Sequence, residues 1–170
     1  MMEIRELLSI PRMLEFIFKR KSTAKILLLI KEKGKLSATE ISELLRIPLA
    51  TVYKYLKELE DIGLVKRVRT NGKSVFVNND FKVTIRWRIN DEEKDLVISS
   101  KNFTCFLAID RPEISYFIGR RGLKKFLDFA KLYEDYVDGK LTVSMMAKAL
   151  GVTTMEVAVL LSEVEAVATV

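Results

Sequence analysis

Leu36-Ser37-Ala38-Thr39-Glu40-Ile41-Ser42-Glu43-Leu44-Leu45-Arg46-Ile47-Pro48-Leu49-Ala50-Thr51-Val52-Tyr53-Lys54-Tyr55-Leu56-Lys57-Glu58-Leu59 is the stretch whose reading decides the fold. Ser37-Ala38-Thr39-Glu40 matches a capping box, in which a serine oxygen and a glutamate carboxylate satisfy the orphan amides of a helix start, so a short helix is predicted as far as about Leu45. Beyond Arg46-Ile47-Pro48 the inward spacing of Val52, Leu56 and Leu59 predicts a longer helix over about 49–62, ended by Gly63. Only a tight turn is left between the two.

Working outward, Ser22 to Lys33 has Ile26, Leu27, Leu29 and Ile30 at inward helical positions and stops at Gly34. Before it, Ile4 to Arg20 shows a helical pattern of apolar residues broken or restarted at Pro11. On the other side, Leu64–Thr70 and Ser74–Val77 flank Asn71-Gly72, the pair best able to adopt the positive φ angles of a two-residue hairpin turn.

Two helices around a tight turn, a Gly63-Leu64-Val65 exit and a basic hairpin resemble the winged helix-turn-helix of small prokaryotic transcriptional regulators, the broad ArsR/MarR-like class, of archaeal type. The residues that carry the resemblance are Leu36–Leu45, Thr51–Leu59 and Gly63–Val65. Two positions depart from the pattern: Arg46 stands where such motifs often have glycine, and Pro48 where they often have a serine cap. The resemblance implies a DNA-binding domain over 1–80, with an extra N-terminal helix, and an activity of binding rather than catalysis.

Physical chemistry reaches the same surface independently. A helix entering the major groove, ~12 Å wide, needs small or polar side chains near its N-terminus and cations beside the phosphates. Thr51, Tyr53, Lys54 and Lys57 lie off the inward stripe: the first three are assigned to base or near-base contacts, and Lys57 to the backbone. Ser37 and Thr39 at the start of the supporting helix, with Lys35 beside them, are candidates for a phosphate. Arg67, Arg69 and Lys73 would carry the wing to a minor groove or its phosphates.

Composition limits the alternatives. The 170 residues are 49% hydrophobic and carry a net charge of +6, with 16 Lys and Arg against 10 Asp and Glu in residues 1–80 but 1 against 3 in residues 141–170. A basic first half favours a polyanion, and an apolar, faintly acidic end favours protein contact. One cysteine, Cys105, and no histidine exclude the common Cys/His metal sites, and no metal or other cofactor is expected. Asp91-Glu92-Glu93 with Asp95 reads as a polar turn in preference to a cation site. Glutamine is absent while Lys, Arg and Glu abound, a bias in the direction of thermophiles. The longest apolar run, Ile26–Ile30, is far short of the ~20 residues that cross a bilayer, and no signal peptide is read, so the expected compartment is the cytoplasm.

Residues 81–170 are expected to hold oligomerisation, partner or effector functions. Strict alternation over 81–89 predicts a strand with Phe81, Val83, Ile85, Trp87 and Ile89 on a core face and Lys82, Thr84, Arg86 and Arg88 wet. Asp95–Ser99 and Phe103–Ile109, the latter burying Cys105, complete a three-stranded antiparallel meander. A helix over 123–137 follows, with a basic cluster, Arg120, Arg121, Lys124 and Lys125, at its start. Helices over 142–150 and 154–167 surround Gly151, the second opened by the capping box Thr153-Thr154-Met155-Glu156. This last pair also resembles a helix-turn-helix, but its second helix has no cation, so residues 141–170 are assigned to oligomerisation, a protein partner or packing within the chain. The fold class is therefore α+β, mainly helical: a winged helix-turn-helix, a small antiparallel β-meander and a C-terminal helical region. The favoured function is a transcriptional regulator that reads double-stranded DNA as a homodimer. The alternative is an adaptor or assembly protein that uses the same helices for protein contacts.

Overall fold

A computed structural model describes residues 13–169. Contacts divide the chain into a unit that ends at Phe81 and a unit spanning Lys82–Ala168.

In the first unit residues 13–18 are helical. Residues 1–12 lie outside the described part, and with them most of the helix expected over 4–20. Helix α1 (Lys21–Lys33) follows, then α2 (Ala38–Leu45), α3 (Leu49–Asp61) and a hairpin of β1 (Val65–Thr70) and β2 (Lys73–Asn78). Ile26, Leu27 and Ile30 of α1, Ile41 of α2 and Val52, Leu56 and Leu59 of α3 meet in one core, each about 2% exposed or less. Burying each such side chain contributes roughly 2 kcal/mol. The hairpin is held at its root: Leu36 and Phe76 exchange backbone hydrogen bonds of 3.1 and 2.7 Å, the Asn78 amide donates to the Leu27 carbonyl at 2.9 Å, and that of Asn79 to the Gly63 carbonyl at 2.8 Å. Asn71 and Gly72 take φ of 52° and 77°, the two left-handed residues that a two-residue turn between right-twisted strands demands.

The second unit opens with a hairpin, β3 (Lys82–Ile89) and β4 (Glu92–Ser99), and continues through α4 (Phe103–Leu107), α5 (Pro112–Arg121), α6 (Leu123–Val137), α7 (Val143–Leu150) and α8 (Thr154–Ala168). Its core runs from Cys105 through Phe117, Phe126, Phe129 and Tyr133 to Met146, Leu150, Leu160 and Val164. Burial of Tyr133 pushes its phenol up to about 12. Among the described residues no single helix is long and apolar enough to cross a membrane.

The architecture is the expected α+β, mainly helical one, with four corrections inside it. Residues 103–107 form a helix, so the β element is a two-stranded hairpin and not a three-stranded meander. Asn102 is the cause: its side chain accepts from Ser99 N at 2.8 Å and donates to the carbonyls of Val97 and Ala130 at 3.0 and 3.1 Å, which folds the chain back against α6. Between Ile109 and the helix over 123–137 the structure adds a helix, α5, which Pro112 opens at a first-turn position, where a missing amide costs nothing. The turn after β3 is the pair Asn90-Asp91 alone, at φ of 50° and 62°, so β4 starts three residues earlier than expected, at Glu92.

The fourth correction concerns the apolar face of β3. Pairing sets Val83, Ile85, Trp87 and Ile89 opposite Ile98, Leu96, Lys94 and Glu92. Only the end near Ile98 is covered; Trp87 is half-buried and Ile89 is 58% exposed. On the charged face Arg86 meets Asp95 at 2.8 Å and Arg88 meets Glu93 at 2.7 Å, so two of the four acids expected in a polar turn lie in β4 and are tied to arginines. Ion pairing likewise absorbs part of the basic cluster near α6: Arg121 forms a fork with Glu156 at 2.9 and 3.1 Å, and the Lys125 ammonium donates to the Leu150 carbonyl, capping the end of α7.

Candidate nucleic-acid interface

Helix α2 starts as its sequence dictates. Ser37 N donates to Glu40 Oε2 at 2.7 Å, Glu40 N donates to Ser37 Oγ at 3.3 Å, and the Ser37 hydroxyl also reaches that carboxylate at 2.8 Å. The Ser37 amide and hydroxyl hold the Glu40 carboxyl below its usual value, with nearby Lys73 adding to the effect. A carboxylate therefore occupies this helix start. Ser37 serves the fold, while Lys35 and Thr39 stand exposed on either side of it.

The turn to α3 runs through Arg46, which takes an αL conformation, φ 55° and ψ 43°. Its amide bonds back to the Ser42 carbonyl, and the Ser42 hydroxyl donates to the Ile47 carbonyl at 2.6 Å, closing the tight turn. Pro48 precedes α3 without any side-chain cap, and no acidic residue stands in its first turn. The positive end of α3 is consequently open, in contrast to that of α2.

Opposite its buried stripe α3 presents Ala50, Tyr53, Lys54 and Lys57, all exposed, with Thr51 half-buried beside them. Two of the three acids of the same helix are drawn elsewhere, and the third, Asp61, is exposed at its last residue. Arg20, its guanidinium 4.6 Å from the Phe16 ring centre, binds Glu58 at 2.9 Å; Arg67, 5.2 Å from the Phe76 ring centre, approaches Glu60 to 3.6 Å. Among the described residues Lys54 and Lys57 form no ion pair, so the outward stripe is cationic over its middle turns, with apolar residues at its N-terminal end and Asp61 at its C-terminal end.

Strand register distributes the wing cations over two faces. Arg67 and Arg69 lie opposite Phe76 and Ser74 on one; Lys66 lies opposite Val77, and Thr70 opposite Lys73, on the other. Arg67 is thus anchored at the root of the hairpin, while Lys66, Arg69 and Lys73 are exposed and, among the described residues, free of ion pairs. Sequence reasoning did not single out Lys66, Leu49 or Ala50. Alternation about the Asn71-Gly72 turn is the signal that would have found Lys66, since it shares a face with Lys73.

A capped supporting helix, a three-residue turn, an open-ended helix with a cationic outer strip and a basic hairpin define a winged helix-turn-helix. Residues 19–66 match the winged helix-turn-helix DNA-binding family. No curated protein and no solved structure matches the chain.

Proposed function

We propose that this protein is a transcriptional regulator that reads duplex DNA as a homodimer, with α3 in the major groove and the β1–β2 wing on the adjacent backbone or minor groove. The observation that carries the reading is the outward strip of α3, where Tyr53, Lys54 and Lys57 stand clear while arginines fold Glu58 and Glu60 away. Thr51, Tyr53 and Lys54 make base or near-base contacts, Lys57 and Lys35 hold phosphates, Thr39 offers a hydroxyl, and Lys66, Arg69 and Lys73 extend the contact along the wing. Ser37 orders α2, and Arg67 braces the wing against α3. Two-fold symmetry would place two α3 helices about one DNA turn apart on a palindromic site. The second unit then supplies dimer or partner contacts, for which the exposed Tyr116 and Met155 between α5 and α8 offer apolar surface.

The test is a salt series of binding to duplexes upstream of the protein's own gene and to scrambled duplexes of equal length. The expected result is discrimination of a hundredfold or more and a steep loss of affinity with salt. Weak binding, equal on both sets and on a wider library of duplexes, would refute the regulator and favour an adaptor that uses these helices for protein contacts. Sedimentation of the free chain and of its complex tests the dimer, for which one protomer per site would be fatal.

A further inference from the structure

The end of α3 nearest the turn is apolar and uncovered. Leu49, its first residue, is 40% exposed, Ala50 is exposed and Tyr53 is 50% exposed. Over the two turns from Leu49 to Leu56 there is no Arg, Asn, Asp, Glu or Gln. In the major groove guanine is read by Arg or Lys, adenine by the amides of Asn and Gln, and cytosine by carboxylates, whereas thymine is distinguished by its C5 methyl against an apolar side chain. Lys54 is the one cation here suited to guanine, the Thr51 hydroxyl can bond to more than one base, and no amide or carboxylate is present for adenine or cytosine. Leaving an apolar side chain in water at the tip of a helix forgoes burial that a methyl-lined groove would supply.

We infer that α3 reads thymine methyl groups through Leu49, Ala50 and Tyr53, so that the preferred duplex has an A·T-rich core under this helix. The inference rests on the DNA-binding reading above and adds the base class to it. The wing agrees with it: Arg69 and Lys73 flank the hairpin tip, and cations enter A·T-rich minor grooves preferentially because those grooves are narrow and strongly negative.

The experiment uses the full chain and begins by selection from a random pool of 30-bp duplexes, followed by replacement of individual thymines with deoxyuridine, which removes only the methyl. An A·T-rich core is expected, with each contacted methyl contributing about fourfold in affinity. Deoxyuridine outside the protected region should change nothing. Leu49→Ala, at an exposed position that leaves the thermal midpoint within a degree or two, should abolish the uracil penalty at one base step. Tight, selective binding to a G·C core, or equal affinity for thymine and uracil duplexes, would overturn the inference while leaving the DNA-binding reading intact. Failure to enrich any duplex would refute both.

Discussion

Lys54 and Lys57 lie one turn apart on the exposed strip of α3, and their replacement by alanine separates the two roles assigned to them. Both side chains are exposed, neither is in an ion pair among the described residues, and lysine and alanine are both good helix formers, so stability should change by less than ~0.5 kcal/mol. If Lys57 neutralises one phosphate, Lys57→Ala should reduce the slope of log affinity against log salt by about 0.9. At 0.1 M salt that release amounts to roughly eightfold in affinity, because 0.9 is multiplied by one decade below the 1 M reference. The loss should be equal on operator and scrambled duplex, since a phosphate carries no sequence. Lys54→Ala should weaken the operator complex more than the scrambled one, by ~1–3 kcal/mol if it holds a base edge. Fluorescence anisotropy at four or five salt concentrations measures both slopes. An unchanged slope for Lys57→Ala, with helical circular dichroism intact, would refute the assignment of this strip to the DNA backbone.

Two further outcomes follow from the geometry of the turn and the caps. Arg46 holds an αL backbone that costs an L-residue ~1–2 kcal/mol, of which ~0.4–1 kcal/mol is returned as unfolded-state freedom when glycine replaces it. Arg46→Gly should thus raise the melting temperature of the first unit by a few degrees in calorimetry; a lower melting temperature would mean that the side chain does more than tolerate the turn. Glu156 is held at about 2, first by its ion pair with Arg121 and then by the Thr153 amide, against an ordinary 4.5. Its folded value is depressed, so the stabilisation is complete above pH ~4.5 and lost as pH falls toward 2. The urea midpoint of the second unit should drop over that window, and Glu156→Gln should flatten the drop; an identical pH profile in the variant would exclude this residue as its source.

What the sequence made legible was local. The Ser37–Glu40 box, the Asn71-Gly72 turn and the inward stripe of Val52, Leu56 and Leu59 are each decided within a few residues, and each formed as read. What it hid was settled by distant partners. Phe103–Leu107 is an apolar run without a period, equally compatible with a strand or a buried helix, and Asn102 chose between them by reaching a carbonyl of α6, 28 residues on. Trp87 kept the face that alternation assigned to it, but a two-stranded hairpin does not supply the second layer needed to bury it. At the candidate interface the cations were visible in the sequence and the withdrawal of Glu58 and Glu60 was not. Arg20 lies 38 residues from Glu58, and no periodicity within α3 announces that its carboxylate is spoken for.

The chain carries the helix-turn-helix backbone twice, which makes it a test of what that backbone means. Helices α2 and α7 are each eight residues long, each is capped by a hydroxyl, from Ser37 and Thr142, and each ends in an αL residue, Arg46 or Gly151. Counting that residue, three residues lead to α3 or α8. Their outer surfaces differ in kind. The N-terminus of α3 is uncapped and its exposed strip holds Lys54 and Lys57. The N-terminus of α8 is filled by the Glu156 carboxylate, and its outer positions run from Met155 and Ala158 to Ser162 and Glu165. An approaching phosphate would meet an open helix dipole and cations at the first pair, and a carboxylate beside bare methyl groups at the second. The same turn geometry thus gives a surface fit for a polyanion in one unit and a surface fit for apolar contact in the other. In this chain the difference between the two surfaces lies largely in where the acids are held.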